Sequence, residues 1–205
     1  MKDILRLGII LAVICVVAAG LLAATNGITA PIITQQALEA ETAAKQAVLP
    51  QGEEFIDMDA NTLNDLLKTA DNENARNVVQ VNMAYDTNNQ FVGMALKTEV
   101  SGFGGDIIML IGIDAQGSVT TYQVLSHSET AGLGDNMNKD FFKDQFSGKS
   151  TSEDLTVVKR SPAGDAEVQA ITGATISSKA VTLAVNSAMN AYNIIIEQQE
   201  GGVKQ

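Results

Sequence analysis

A chain of 205 residues with a formal net charge of −11 has room for one domain of roughly 150 residues and an anchor. The charge argues against nucleic acid as a partner and against a peripheral grip on anionic lipid, since both need clustered Lys and Arg and no basic run exists. One cysteine, Cys15, and one histidine, His127, leave the soluble part without thiols for a disulfide or iron–sulfur cluster and without a donor set for zinc. Electron transfer by this chain would therefore require an organic cofactor.

Residues 7–24 form an uninterrupted apolar run of 18, preceded by Lys2 and Arg6 and followed by Thr25, Asn26 and Gly27. That length crosses a bilayer, particularly if 28–33 extends it. A cleavable signal peptide is the rival reading, because the basic start and Ala23-Ala24 permit processing, but its apolar core would be unusually long. A retained anchor over residues 1–30 is the better reading. A lipoprotein signal is disfavoured because Cys15 follows Ile14 deep in the run. Short basic flanks stay cytoplasmic, which puts the C-terminal bulk on the extracytoplasmic side. Pro31 is expected to end or kink the anchor. The Ala, Gln and Glu that follow suggest a helical stalk over residues 31–50, stopped at Pro50-Gln51-Gly52. A domain over residues 51–200 and a flexible tail, 201–205, complete the division.

A short helix is expected over 62–70, with Leu63, Leu66 and Leu67 on one face. The period then changes. Val79, Val81, Met83 and Tyr85 alternate, Asp86-Thr87-Asn88-Asn89 has turn chemistry, and 91–100 reads as the returning strand. Residues 107–113 and 118–125 make a second hairpin around Asp114-Ala115-Gln116-Gly117. A loop over 126–138 leads to a short helix near 138–146. A polar linker over 148–154, a strand at 155–159, a turn at 161–165 and a strand starting at Ala166 follow. The fold class is α+β: an antiparallel sheet with packed helices, tethered by one N-terminal transmembrane helix.

The last strand runs into Thr172-Gly173-Ala174-Thr175-Ile176-Ser177-Ser178-Lys179, and beyond it Val181, Leu183, Ala184, Val185, Ala188, Met189, Tyr192, Ile195 and Ile196 recur at helical spacing to about Gln198. Thr175, Ser177 and Ser178 thus sit at a helix N-terminus. Hydroxyls there have two readings. They cap the first-turn amides, or the same amides and the positive end of the helix dipole hold a phosphate, to which a threonine could be esterified. Two other stretches carry unusual residues. Gly102-Phe103-Gly104-Gly105 is a flexible turn or a place where backbone approaches a flat ring. His127-Ser128-Glu129-Thr130-Ala131-Gly132-Leu133-Gly134 offers Ser, His and carboxylate, but adjacent residues of an extended loop point apart and do not assemble a hydrolytic triad. No catalytic residue and no metal ligand is assigned.

These three stretches together resemble, in turn, the [ST]GAT-x-[ST], G-[YF]-x-G and H-x-E-T-P-G-L-G motifs of the FMN-binding domain family, and the likeness covers essentially the whole chain. Within it the chain is most similar to the G subunits of Rnf-type ion-translocating complexes, with the C subunits of the Na+-translocating NADH:quinone reductase as the alternative. The resemblance implies an FMN joined through its phosphate to Thr175. It also implies that Thr172, Gly173, Ala174 and Ser177 present amides and hydroxyls to the cofactor, and that Gly102, Phe103, Gly104, His127, Glu129, Thr130, Gly132, Leu133 and Gly134 shape the rest of its site. It further implies other membrane and redox subunits as partners and a flavin transferase for maturation. The function implied is flavin electron transfer in a complex coupling ferredoxin oxidation and NAD+ reduction to Na+ or H+ transport. A membrane-anchored flavin-binding or sensory module outside a pump, and an unmodified assembly or adhesion protein, are the other readings. Two positions depart from the family pattern: Gln169 replaces an acidic residue six before the modified threonine, and Ala131 replaces the loop proline.

Overall fold

A computed structural model describes residues 2–69, 73–161 and 164–202, in two compact units, Met1–Thr42 and Ala43–Gln205. The described residues of the first unit are all helical. Its helix, α1, spans Lys2–Val48 and ends inside the second unit. At 1.5 Å rise per residue such a helix is about 70 Å long, more than twice the ~30 Å apolar thickness of a bilayer. Within it the hydroxyls of Thr25, Thr29 and Thr34 donate to the carbonyls four residues back, at 2.9–3.0 Å, so these polar side chains are satisfied without water. Of the two expectations for Pro31, an end or a kink, the first is excluded: the proline lies inside the helix. One missing amide costs roughly 3 kcal/mol, and the hydrogen bonds of the long helix on either side of it outweigh that local loss, the more so in an apolar segment whose backbone groups have no water to turn to.

The second unit is built on a five-stranded antiparallel sheet in the order β1 (Glu54–Asp57), β2 (Val78–Tyr85), β3 (Phe91–Ser101), β4 (Asp106–Asp114) and β5 (Val119–Ser126). Every neighbour in space is a neighbour in sequence. The two hairpins read from the turn residues are present, and Asp114 Oδ1 accepts from the amides of Gln116 and Ser118 to close the second of them. The alternation read over Val79–Tyr85 is interrupted: a register shift between Val78 and Gln80 turns Val79 outward, half exposed. Helix α2 covers Ala60–Thr69; Ala70, the last residue of the expected helix, lies outside the described residues. So do 162–163 of the expected 161–165 turn and 203–205 of the expected tail.

Both faces of the sheet are covered. On one, Met94, Leu96, Met109, Ile111, Ile113 and Tyr122 pack with Val181, Ala184, Val185, Ala188, Met189 and Ile195 of the long C-terminal helix, Thr175–Gly202. On the other, Ala84, Ala95 and Leu110 meet Ala44, Val48 and Leu49 at the end of α1. Burial on two sides explains why β3 and β4 are apolar nearly throughout.

The segment between β5 and the C-terminal helix differs from its reading. In place of one helix over 138–146 there is a 3-10 turn at Gly134–Asn138, an extended Lys139, and a single helical turn, α3, at Asp140–Lys143. Side chains rather than helix hold this region down. The Tyr122 hydroxyl donates to Met137 O at 2.6 Å, and Tyr122, Phe146 and Phe142 pack edge to face at 5.5 and 5.3 Å. The last two strands, β6 (Thr156–Val158) and β7 (Glu167–Gln169), pair in parallel as a separate ribbon. Asn186 of the C-terminal helix, α4, secures it from below: its Oδ1 accepts from Leu155 N at 2.9 Å and its Nδ2 donates to Leu155 O at 3.0 Å. Replacing Asn186 with Ala leaves a buried amide and carbonyl unpaired. Urea unfolding of the full chain in detergent should show a loss of about 2–4 kcal/mol.

Candidate functional site

Three connections meet at one end of the sheet: the β3–β4 turn, the loop after β5, and the start of α4. They enclose a pocket of about 360 Å³ lined by Phe103, Glu129, Thr130, Leu133, Gly134 and residues 173–177. Three apolar side chains are left in solvent around it. Phe103 is 68 % exposed, Ile176 54 % and Leu133 44 %. Large apolar groups left this open on a folded domain mark a binding surface when they cluster.

The sharp entry into α4 comes from Gly173, whose φ of +80° lies in the left-handed region. The Ser178 hydroxyl then staples strand to helix, accepting from Ile171 N and donating to Ala174 O, both at 2.9 Å. Ser177 turns the other way and donates to Glu129 Oε2 at 2.5 Å. The residue preceding the helix is Ala174, which has no capping group. Among the described residues, the amides of Thr175, Ile176 and Ser177 have no hydrogen-bond acceptor and the Thr175 hydroxyl has no partner. The hydroxyls at this N-terminus are therefore not its cap. Unpaired first-turn amides and the positive helix end face the pocket wall instead, which is the arrangement that accommodates an anion.

Glu129 joins all three connections. Its Oε1 accepts from Phe103 N at 2.7 Å and Gly104 N at 2.9 Å, and its Oε2 accepts from Ser177. The side chain is buried, 8 % exposed. The glycines around it are required by its volume. A Cβ at Gly102 would meet Glu129 Oε1 and the Ile107 side chain, and one at Gly134 would meet Glu129 Oε2 and, at 2.6 Å, Ser177 Oγ. Burial pushes the Glu129 carboxyl up, but the hydrogen bonds from Ser177, Gly104 and Phe103, with His127 nearby, outweigh it and hold the group below the usual carboxylate range.

Of the residues singled out from sequence, Phe103, Glu129, Thr130, Leu133, Gly134, Gly173, Ala174, Thr175 and Ser177 share the pocket. Gly102, Gly104, His127 and Gly132 are not among its lining residues. Gly104 packs against the Ser128 carbonyl, and Gly132 takes a φ of +76° with its carbonyl accepting from Asn136 Nδ2 at 2.8 Å. His127 is a brace: Nδ1 accepts from Glu129 N at 3.1 Å, while Nε2 lies 3.5 Å from Asp135 Oδ1 and 3.3 Å from Asn138 Nδ2. Thr172 faces a neighbouring cavity with Asn136, Phe141, Gln145 and Gln169. Sequence reasoning missed Ile176, the variable position of its motif, and missed Asp135 and Asn138, whose spacing carries no signal.

A flavin phosphate fits these residues: open apolar groups for a flat ring, and unpaired amides beside a free threonine hydroxyl. Among the described residues, the lining contains no Lys or Arg. Two outcomes test the Glu129 junction. Gly134→Ala should cost about 1–3 kcal/mol, read by thermal or urea unfolding, because the methyl group displaces the carboxylate from Ser177. The depressed carboxyl contributes stability that is present above its ordinary range near ~4.3 and lost as pH falls through its lowered folded value. Glu129→Gln should remove that acid-sensitive component from the stability–pH curve.

Comparison with known proteins agrees with the geometry. Residues 102–190 match the FMN-binding domain model and residues 1–48 match the RnfG N-terminal region. The G subunit of the Na(+)-translocating ferredoxin:NAD(+) oxidoreductase complex of Acetobacterium woodii is 38 % identical, over 93 % of this chain and 92 % of the relative. The G subunit of the proton-translocating ferredoxin:NAD(+) oxidoreductase complex of Clostridium ljungdahlii is 32 % identical, over 87 % and 86 %. Among solved structures, the C subunit of the Na(+)-translocating NADH-quinone reductase of Parabacteroides distasonis shares the fold, with a TM-score of 0.51 and 24 % identity over 70 % of this chain and 77 % of that one. A pocket built by the three family motifs, joined to an N-terminal region of the matching type, places this chain in the family of G subunits of the ion-translocating ferredoxin:NAD+ oxidoreductase complexes, with an FMN-binding domain as its folded body.

Proposed function

We propose that this chain is a flavin-bearing electron carrier in a membrane complex that couples electron transfer from ferredoxin to NAD+ with transport of Na+ or H+, and that its FMN is esterified through the phosphate to Thr175. Membership of the G-subunit family supports the setting. One observation carries the covalent reading. Among the described residues the pocket offers unpaired amides and a free threonine hydroxyl but no cationic side chain, and the one charged group in its lining, Glu129, is an anion. A dianionic phosphate held by affinity would meet that carboxylate with no Lys or Arg to offset it. A phosphoester removes the requirement, since attachment no longer depends on binding energy and the tethered ring stays at high local concentration.

The chain's own residues then have distinct tasks. Thr175 supplies the ester oxygen, and the first-turn amides of α4 face the remaining phosphate oxygens. Phe103, Leu133 and Ile176 offer apolar surface to the ring, and Glu129 keeps the three connections in register. The flavin supplies one-electron chemistry when present; donors and acceptors belong to other proteins of the complex. A flavin transferase is the maturation partner, and Gln169, exposed in the strand that leads to Thr175, belongs to the stretch it would read. The helix α1 crosses the membrane once. Lys2 and Arg6 keep its N-terminus cytoplasmic, which puts the domain containing the flavin on the extracytoplasmic side.

Intact mass of the full chain co-expressed with a flavin transferase should exceed the sequence mass by one FMN less water, with flavin fluorescence persisting on a denaturing gel. Thr175→Ala should lose both and remain folded. An unmodified wild type would refute the ester.

A further inference from the structure

Glu129 does more than tie loops together, because among the described residues it is the one ionised group in the wall of the pocket. Its carboxylate cannot rotate away: three donors on two other segments fix both oxygens. Nor can it be replaced in place by solvent, since Gly102, Gly134 and Ser177 pack directly around it. Among the described residues the lining contains no Lys, Arg or His to neutralise it, and His127 sits behind it against Asp135. A charge fixed in a partly apolar cavity acts on a neighbouring group far more strongly than one free in water.

We infer that Glu129 is a fixed negative charge that sets the reduction potential of the flavin in this pocket, lowering it by opposing the charge that reduction adds. The inference rests on the FMN reading above and goes beyond it, assigning Glu129 a positioning and electrostatic role distinct from packing. Neutral donors such as the Phe103 and Gly104 amides orient the carboxylate; Ser177, by hydrogen bonding to it, partly offsets its charge. Two substitutions separate charge from shape. Glu129→Gln keeps the size and the ability to accept from both amides, but removes the charge. Ser177→Ala keeps the charge and removes one donor to it.

The test uses the full-length chain carrying its flavin, purified in detergent, with the midpoint potential read by spectroelectrochemical titration at constant pH and flavin content read beforehand on a denaturing gel. The potential should rise in Glu129→Gln and fall in Ser177→Ala. A merely structural role would shift both variants in the same direction, and that result overturns the inference. So does an unchanged potential in a Glu129→Gln protein that retains its flavin. If Glu129→Gln acquires no flavin, the Ser177→Ala potential decides alone: a fall supports the inference, and no change or a rise refutes it. Absence of flavin from the wild type overturns the FMN reading itself, and this outcome is distinguished from the others by the gel.

Discussion

The site depends on one buried carboxylate. Glu129 accepts hydrogen bonds from the β3–β4 turn and from the first turn of α4, and its own backbone belongs to the loop after β5. The turn and the loop are irregular, and the carboxylate ties both to the start of a helix that the core already holds. A charge-assisted hydrogen bond is stronger than a neutral one, and three of them on a single group satisfy a burial that would otherwise be costly. The glycines at 102 and 134 follow from this arrangement, because the space a side chain would take is already filled by the carboxylate.

Around that junction the fold supplies rigidity in layers. Sheet order follows chain order, and β2 to β5 are positioned by local hairpins, whereas β1 reaches β2 through α2. Helix α4 buries its apolar face on the sheet and is pinned along its polar side by asparagines: Asn186 to Leu155, Asn190 to Asp154 and Asn193 to the Thr151 carbonyl. The N-terminus of α4 is consequently fixed by contacts spread over its whole length, and its unpaired amides are free to serve a ligand rather than to be consumed in stabilising the helix end.

Much of this was legible in the sequence. Turn residues at 86–89 and 114–117 located both hairpins, and the spacing of Val181 to Ile196 located α4, because local chemistry governs both. The failures share a cause in context beyond the local residue. Pro31 lies within a long helix whose hydrogen bonds on both sides outweigh its local cost, so it does not end the helix. Residues 138–146 read as one helix, yet Lys139 is extended, and the aromatic packing of Phe142 and Phe146 on Tyr122 decides the path. The three motifs were readable as stretches, but their convergence was not. Nothing in the spacing of Gly104, Glu129 and Ser177 says that one carboxylate touches all three neighbourhoods, and nothing distinguishes His127 as a brace from His127 as a contact.

The lining of the pocket has a further consequence for the path of electrons. Among the described residues that form it, Phe103 is the one aromatic, and there is no Tyr, Trp, Cys or Met. These last four are the side chains that yield an electron to an oxidised neighbour, and the walls contain none of them. A redox group seated there would have no readily oxidised side chain of its own protein against it among the described lining residues; what the wall offers is apolar surface and the fixed carboxylate of Glu129.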